Sequence, residues 1–173
     1  VVDAGTLQEN YLRLAAAAHP DATGGDVEKF RALQEARAVL LDPARRLRHL
    51  LELEGADPAG PGGGPPPADL FLEVAGALEA AKNFLKRPAS QSAIARAAQA
   101  AERAAVVNRL ELATAAVETR WNLREERLRE LDGRWPDADR AELARLAGEL
   151  VFLARWKREL RERNFQIRAQ SGA

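Results

Sequence analysis

The side chains able to do chemistry are few. Histidine occurs twice, at His19 and His49, and cysteine does not occur at all. A thiol nucleophile, a disulfide framework, an iron–sulfur centre ligated by this chain and most structural zinc sites are therefore excluded. The two histidines stand far apart, with no acidic cluster at ligand spacing, so neither a metal site nor a cofactor is expected. His49, beside Arg45, Arg46 and Arg48, reads as a solvated side chain. The glycine run at 60–64 follows no strand and leads into prolines, which makes it linker rather than a phosphate cradle. What remains is the tripeptide His19-Pro20-Asp21. Proline alone would explain a helix-ending turn there, so its setting decides what the tripeptide means.

That setting is a loop between two amphipathic helices. Leu7, Tyr11, Leu14 and Ala18 recur at spacings of four, three and four, and Pro20 stops this helix near Ala18. Asp26 is the expected N-cap of a second helix carrying Val27, Phe30, Leu33 and Leu40. Asp42-Pro43 opens a third, with Leu47, Leu50 and Leu51, ending at Gly55. A two-helix hairpin buries little by itself and needs a third element against its apolar face.

The stretch Gly55 to Pro67 is too rich in glycine and proline for regular structure and reads as a linker between residues 1–54 and 68–173. Beyond it the spacing predicts three helices. The first spans Asp69 to Lys86, with a stripe of Leu70, Val74, Leu78, Ala81 and Leu85. The second spans about Gln91 to Leu131, with Val106, Leu110, Ala113, Val117, Trp121, Leu128 and Leu131. The third runs from Asp137 to about Asn164, with Leu143, Leu146, Leu150, Leu153 and Leu160. These spacings suit shallow-angle packing in an up-down-up bundle, with Trp121, Trp135 and Trp156 between helices and Trp135-Pro136 closing a turn.

Composition agrees. Thirty-six alanines against 15 Val, Ile and Thr together favour helix over sheet, so the expected fold class is all-α: a helical hairpin plus a C-terminal three-helix bundle. With 26 basic and 26 acidic side chains the net charge is zero, which argues against binding nucleic acid or anionic membrane by bulk electrostatics. There is no membrane-spanning apolar run and no signal-peptide pattern, so a soluble, cytoplasmic protein is expected. The chain starts at Val1 and contains no methionine, and its natural start is expected upstream.

A helix, His-Pro-Asp, then a helix leading into QEARAVLLDPARRLRHLL resembles a J-domain. With the linker and the all-α module behind it, the chain looks like the HscB family, co-chaperones of iron–sulfur cluster assembly. The likeness is carried by Asp3 to Asp21, Asp42 to Gly55 and Leu150 to Glu162, and covers most of the chain, although only the tripeptide is strongly specific. The resemblance implies an activator rather than an enzyme. His19, Pro20 and Asp21 would dock on a DnaK/HscA-type ATPase chaperone and trigger ATP hydrolysis, Asp21 pairing with an arginine of that partner, with Arg13 on the preceding helix contributing charge. The bundle would carry an IscU-type iron–sulfur scaffold protein.

A helical wheel bears on the second site independently. At about 100° per residue, Leu72 points away from the Leu70–Val74–Leu78 stripe, flanked by Phe71 and Ala75. Phe152 falls off the stripe of the last helix in the same way. The family's scaffold-binding patch lies on these two helices, so the resemblance makes Phe71, Leu72, Ala75 and Phe152 the candidates. The chain also departs from the family. The aromatic-leucine first J-domain helix is not read from Val1 onward, either because it lies upstream or because the J-domain is degenerate; the usually basic helix before the tripeptide offers Arg13 and then Ala15 to Ala18, and Ala22 stands where a lysine often follows. Acids around the client patch are thinned to Glu73 and Glu79. An alternative reading is a degenerate J-like interaction module without chaperone stimulation. A third, RNA binding by the basic last helix, is opposed by Glu159 and Glu162 within the basic run.

Overall fold

The computed structural model describes residues 2–55, 66–88, 92–135 and 137–170. Among these the chain is all-α, with six helices and no strand. They are α1 (Ala4–Ala18), α2 (Val27–Leu41), α3 (Pro43–Leu53), α4 (Ala68–Leu85), α5 (Ala93–Asp132) and α6 (Arg140–Ala169). Most of the expected linker, residues 56–65, lies outside the described residues, as does Pro136.

Four helices begin where a local aspartate accepts the first free amides. Asp3 takes the Thr6 N–H at 2.7 Å and Asp26 the Lys29 N–H at 3.1 Å. Asp139 takes the Ala141 N–H at 2.9 Å. Asp42 accepts from both Ala44 and Arg45, at 2.9 and 3.1 Å, and Pro43 follows at the first helical position, where a missing N–H costs nothing. Substituting Asp42→Ala strips both bonds and is expected to lower unfolding stability by about 1 kcal/mol, read as a shifted urea midpoint with an unchanged slope. The far end of α3 closes at Gly55, whose φ of +67° lets the chain turn out of the helix.

The helices form two compact units. Val1–Gly63 and Glu125–Gly148 make one; Gly64–Arg124 and Glu149–Ala173 make the other. In the first, α1 and α2 form the J-domain-like hairpin, and Arg37 clasps it by donating to Gln8 at 2.9 Å while lying 5.0 Å from the centre of the Tyr11 ring. The core of this unit is not in the hairpin. Leu47 and Leu51 of α3 pack with Leu131 of α5 and with Ala138, Leu143, Leu146 and Ala147. Arg140 pairs with Glu54 at 2.9 Å, and Arg127 with Glu142 at 2.7 Å. The hydrogen bond from Arg127 holds the Glu142 carboxyl below the usual carboxylate range. Within the hairpin α1 buries only Ala15 and Ala18, and α2 buries nothing completely. Leu14, expected in the stripe, is exposed, and its neighbour Ala15 is buried instead.

The second unit is a three-helix bundle. Its core joins Val74, Ala77, Ala81 and Phe84 of α4 to Leu110, Ala113 and Val117 of α5 and to Leu150, Leu153 and Leu160 of α6. On α4 the buried line differs from the expected one. Ala77 and Phe84 are buried, while Leu78 and Leu85 are half-buried at the edge. Small Ala77 and Ala81 admit the close approach of α5 and α6, and the larger leucines are displaced to the flank. The last helix continues to Ala169 because Ile167 is fully buried in line with Leu160. Trp156 is buried and Trp121 half-buried beneath Lys157, but Trp135 is 40 % exposed and does not pack between helices. The direction of the helices follows from their ion pairs. Asp69 meets Arg120 and Arg87 meets Glu102, so α4 and α5 are antiparallel.

Candidate functional site

The His-Pro-Asp loop is built by backbone bonds that return the chain on itself. His19 is the C-cap of α1, held extended at φ −58° and ψ 137° by the proline that follows. Its carbonyl accepts the Ala22 N–H at 2.9 Å, and the Ala22 carbonyl accepts the Gly25 N–H at 2.8 Å. The Asp26 N–H then reaches back to the Ala18 carbonyl at 3.1 Å, joining the end of α1 to the start of α2. Gly24 sits at φ +82°, where a side chain would be strained.

The side chains of the loop are presented rather than buried. The Nδ1 atom of His19 accepts the Asp21 N–H at 3.2 Å, which fixes the ring as the tautomer protonated at Nε2. The ring also meets Phe30 of α2 edge-on, centroids 5.2 Å apart and planes at 77°. The Asp21 carboxylate is 92 % exposed and stands 3.7 Å from His19 Nδ1. An exposed anion on a fixed turn, next to an oriented ring donor, suits recognition of a cation on another protein. Pro20 is exposed beside them. Arg13 lies on the exposed surface of α1 and donates to Asn10 at 3.3 Å. Phe30 and the Gly24-Gly25 pair are loop supports that sequence reasoning missed. Phe30 reads there as a stripe residue, and adjacent glycines say only that a turn is present.

The second candidate patch lies in the bundle, and its register can be worked out from one arginine. Arg120 pairs with Asp69 on α4 and, at 3.5 Å, with Glu149 on α6, which puts those two acids at one level. Lys82 is thirteen residues beyond Asp69, Glu162 is thirteen beyond Glu149, and both line one open groove of about 400 Å³. Therefore α4 and α6 run parallel and in step, and Leu72 and Phe152, each three residues past its anchor, stand at the same height. Ala75, Leu78 and Lys82 line the groove on the α4 side, and Phe71 extends their row by one turn. Glu159 and Glu162 line it from α6, and Phe152 extends that row toward the start of the helix. Of the four candidate residues Ala75 lines the groove itself, and Phe71, Leu72 and Phe152 lie outside its lining, nearer the starts of the two helices. Phe71 is 46 % and Leu72 79 % exposed; Phe152 is half-buried, its ring 6.2 Å from that of Trp156.

No group of acidic, histidine or cysteine side chains able to hold a metal ion is found among the described residues. His49 is exposed, 3.9 Å from Glu52. No helix among the described residues is long and apolar enough to cross a membrane.

No family model matches the chain. The proteins named "Co-chaperone protein HscB homolog" of Shewanella sp. strain ANA-3 and of strain MR-4 are each 38% identical to it over 64 residues, covering 32% of this chain. The likeness is to HscB-type co-chaperones. The alignment takes in 37% of each relative, so the chain spans little more than a third of the length of the curated relatives it matches. No solved structure matches.

Proposed function

We propose that this protein is a J-domain co-chaperone of the HscB type, acting in the cytoplasm. Its loop accelerates ATP hydrolysis by a DnaK-type chaperone, and its bundle brings an IscU-type iron–sulfur scaffold protein to that chaperone. It makes and breaks no bond itself. The observation that carries the reading is the presentation of His19, Pro20 and Asp21: exposed side chains on a loop that is internally hydrogen-bonded and braced by Phe30. Groups already fixed before contact lose little freedom on binding, so more of the contact energy remains as affinity. Arg13 adds a cation to the helix that leads into the loop, for the acidic side of the chaperone.

The test is single-turnover ATP hydrolysis by the chaperone, with and without this protein. Acceleration is expected; an unchanged rate with a protein known to bind the scaffold would leave the second reading, a J-like interaction module. One feature favours that second reading. The hairpin buries no residue of α2 completely, and a weakly packed hairpin holds its loop less firmly.

For the client, the α4–α6 patch is the proposed seat, with Phe71 and Phe152 as the aromatic anchors and Leu72 and Ala75 completing the surface. Aromatic side chains that become buried in an interface carry a disproportionate share of its energy. The double variant Phe71→Ala/Phe152→Ala is expected to weaken scaffold binding by about 30-fold in calorimetry, while chaperone stimulation in the absence of scaffold stays unchanged. Equal affinity of the double variant would remove both residues from the seat.

A further inference from the structure

The client patch has an unexplained neighbour on its other side. Gly76 stands in the middle of α4, where glycine is a poorer helix former than alanine. Its turn conformation does not require it, since its φ is not positive. The space left by its missing side chain is taken by Arg109 of α5. A Cβ on Gly76 would lie 2.3 Å from Arg109 Nη2 and 3.3 Å from Cζ, so the guanidinium rests directly on the glycine. Arg109 is exposed and has no ion pair or hydrogen bond among the described residues. The other arginines of α5 are all engaged: Arg120 and Arg124 with Glu149, Arg127 with Glu142, Arg129 with Glu125, and Arg96 and Arg103 also in contacts. The acids of α4 do not serve Arg109 either. Glu79 pairs with Lys82 at 3.6 Å, and Glu73 has no ion pair among the described residues.

Two large apolar side chains flank this cation. Leu72 lies one turn before Gly76 on the same face of α4 and is 79 % exposed. Leu112 lies one turn after Arg109 on α5, and in the antiparallel register this brings it toward the level of Leu72. It is 59 % exposed. A guanidinium with no ion pair among the described residues, resting on Gly76 beside two exposed leucines, is a surface complementary to a carboxylate set beside a large apolar side chain.

We propose that the α4–α5 face is a second contact for the protein client, with Arg109, held on Gly76 and flanked by Leu72 and Leu112, receiving an acidic side chain of a client segment. The inference rests on the client-carrying role proposed above and extends its seat from the α4–α6 side of α4 across to α5. Leu72 belongs to both contacts because it points outward between them.

The experiment is calorimetric titration of the IscU-type scaffold protein into the full chain at low and physiological salt, for the native protein, Arg109→Gln and Gly76→Ala. Each variant is expected to bind about fivefold more weakly than the native protein at low salt, with a flatter salt dependence. Gly76→Ala separates binding from folding. Alanine favours helix and the Arg109 side chain can swing aside, so its melting temperature should not fall even as its affinity does. Native binding with both variants matching it in affinity and salt dependence overturns the second contact and leaves the client-carrying role standing. Failure of the native protein to bind the scaffold overturns the role, and the second contact with it.

Discussion

His19→Gln is expected to return the chaperone's single-turnover ATPase to its unstimulated rate while the circular dichroism spectrum and melting temperature of the protein hardly change. The two halves of this expectation have separate physical grounds. Stability is insensitive because the imidazole side chain is 49 % exposed and its hydrogen bond from the Asp21 N–H is made at the surface. Exposed substitutions of this kind fall within about 0.5 kcal/mol. Function is sensitive because the ring performs two tasks that glutamine cannot combine. Its Nδ1 fixes the Asp21 backbone, and its edge packs on Phe30, which sets the direction of the Nε2–H donor. A glutamine amide has no ring to lodge against Phe30, so the donor and the carboxylate lose their fixed spacing. Association would then have to order them anew, at the expense of affinity and of the geometry that the ATPase domain responds to. Undiminished stimulation by a folded His19→Gln variant would sink the proposed mechanism.

Much of the loop and the caps was legible in the sequence because their causes are local. Asp26 and Asp42-Pro43 announce helix starts within a few residues, and Pro20 ends α1 at the residue expected. Burial was harder to read, because it depends on which helix faces which. On α4, Leu78 and Leu85 fit an apolar stripe as well as Ala77 and Phe84 do; only the close approach of α5 and α6 selects the alanine side. A sequence with so many alanines offers several such stripes of equal quality. The reliance of the first unit on α3, rather than on the hairpin, was hidden for the same reason: Leu131 and Leu143, which complete its core, lie far along the chain from Leu47 and Leu51. The outward placement of Phe71 and Leu72 was legible from the wheel, since a face opposite a correctly located core edge is exposed whatever packs on it. Gly76 was not, because its role depends on an arginine of another helix.

Gly25→Ala is expected to do what His19→Gln does not: abolish stimulation and unfold the loop's support together. Gly25 is constrained by space and not by its dihedral, for its φ is not positive. A Cβ there would lie 1.9 Å from the His19 carbonyl oxygen, 2.8 Å from the carbonyl carbon and 3.1 Å from the Ala22 oxygen. All three are backbone atoms that cannot rotate away. The same two carbonyls accept the Ala22 and Gly25 amides, so moving them aside breaks the bonds that shape the turn. The Asp26 N–H to Ala18 bond, one residue further, ties α1 to α2 and would be pulled with them. A backbone clash without a flexible neighbour, added to lost hydrogen bonds, costs about 2 kcal/mol or more. The hairpin has little to offset it, since α2 buries no residue fully. Amide hydrogen exchange should therefore show α1 and α2 losing protection while α4 and the parts of α5 and α6 that form the three-helix bundle keep theirs, because those helices hold a separate core. Scaffold binding by the variant should survive for the same reason. Native-like protection across α1 and α2 in Gly25→Ala would mean that the loop can be closed in another way, and that the tight approach of Gly25 to His19 is not what holds the tripeptide in place.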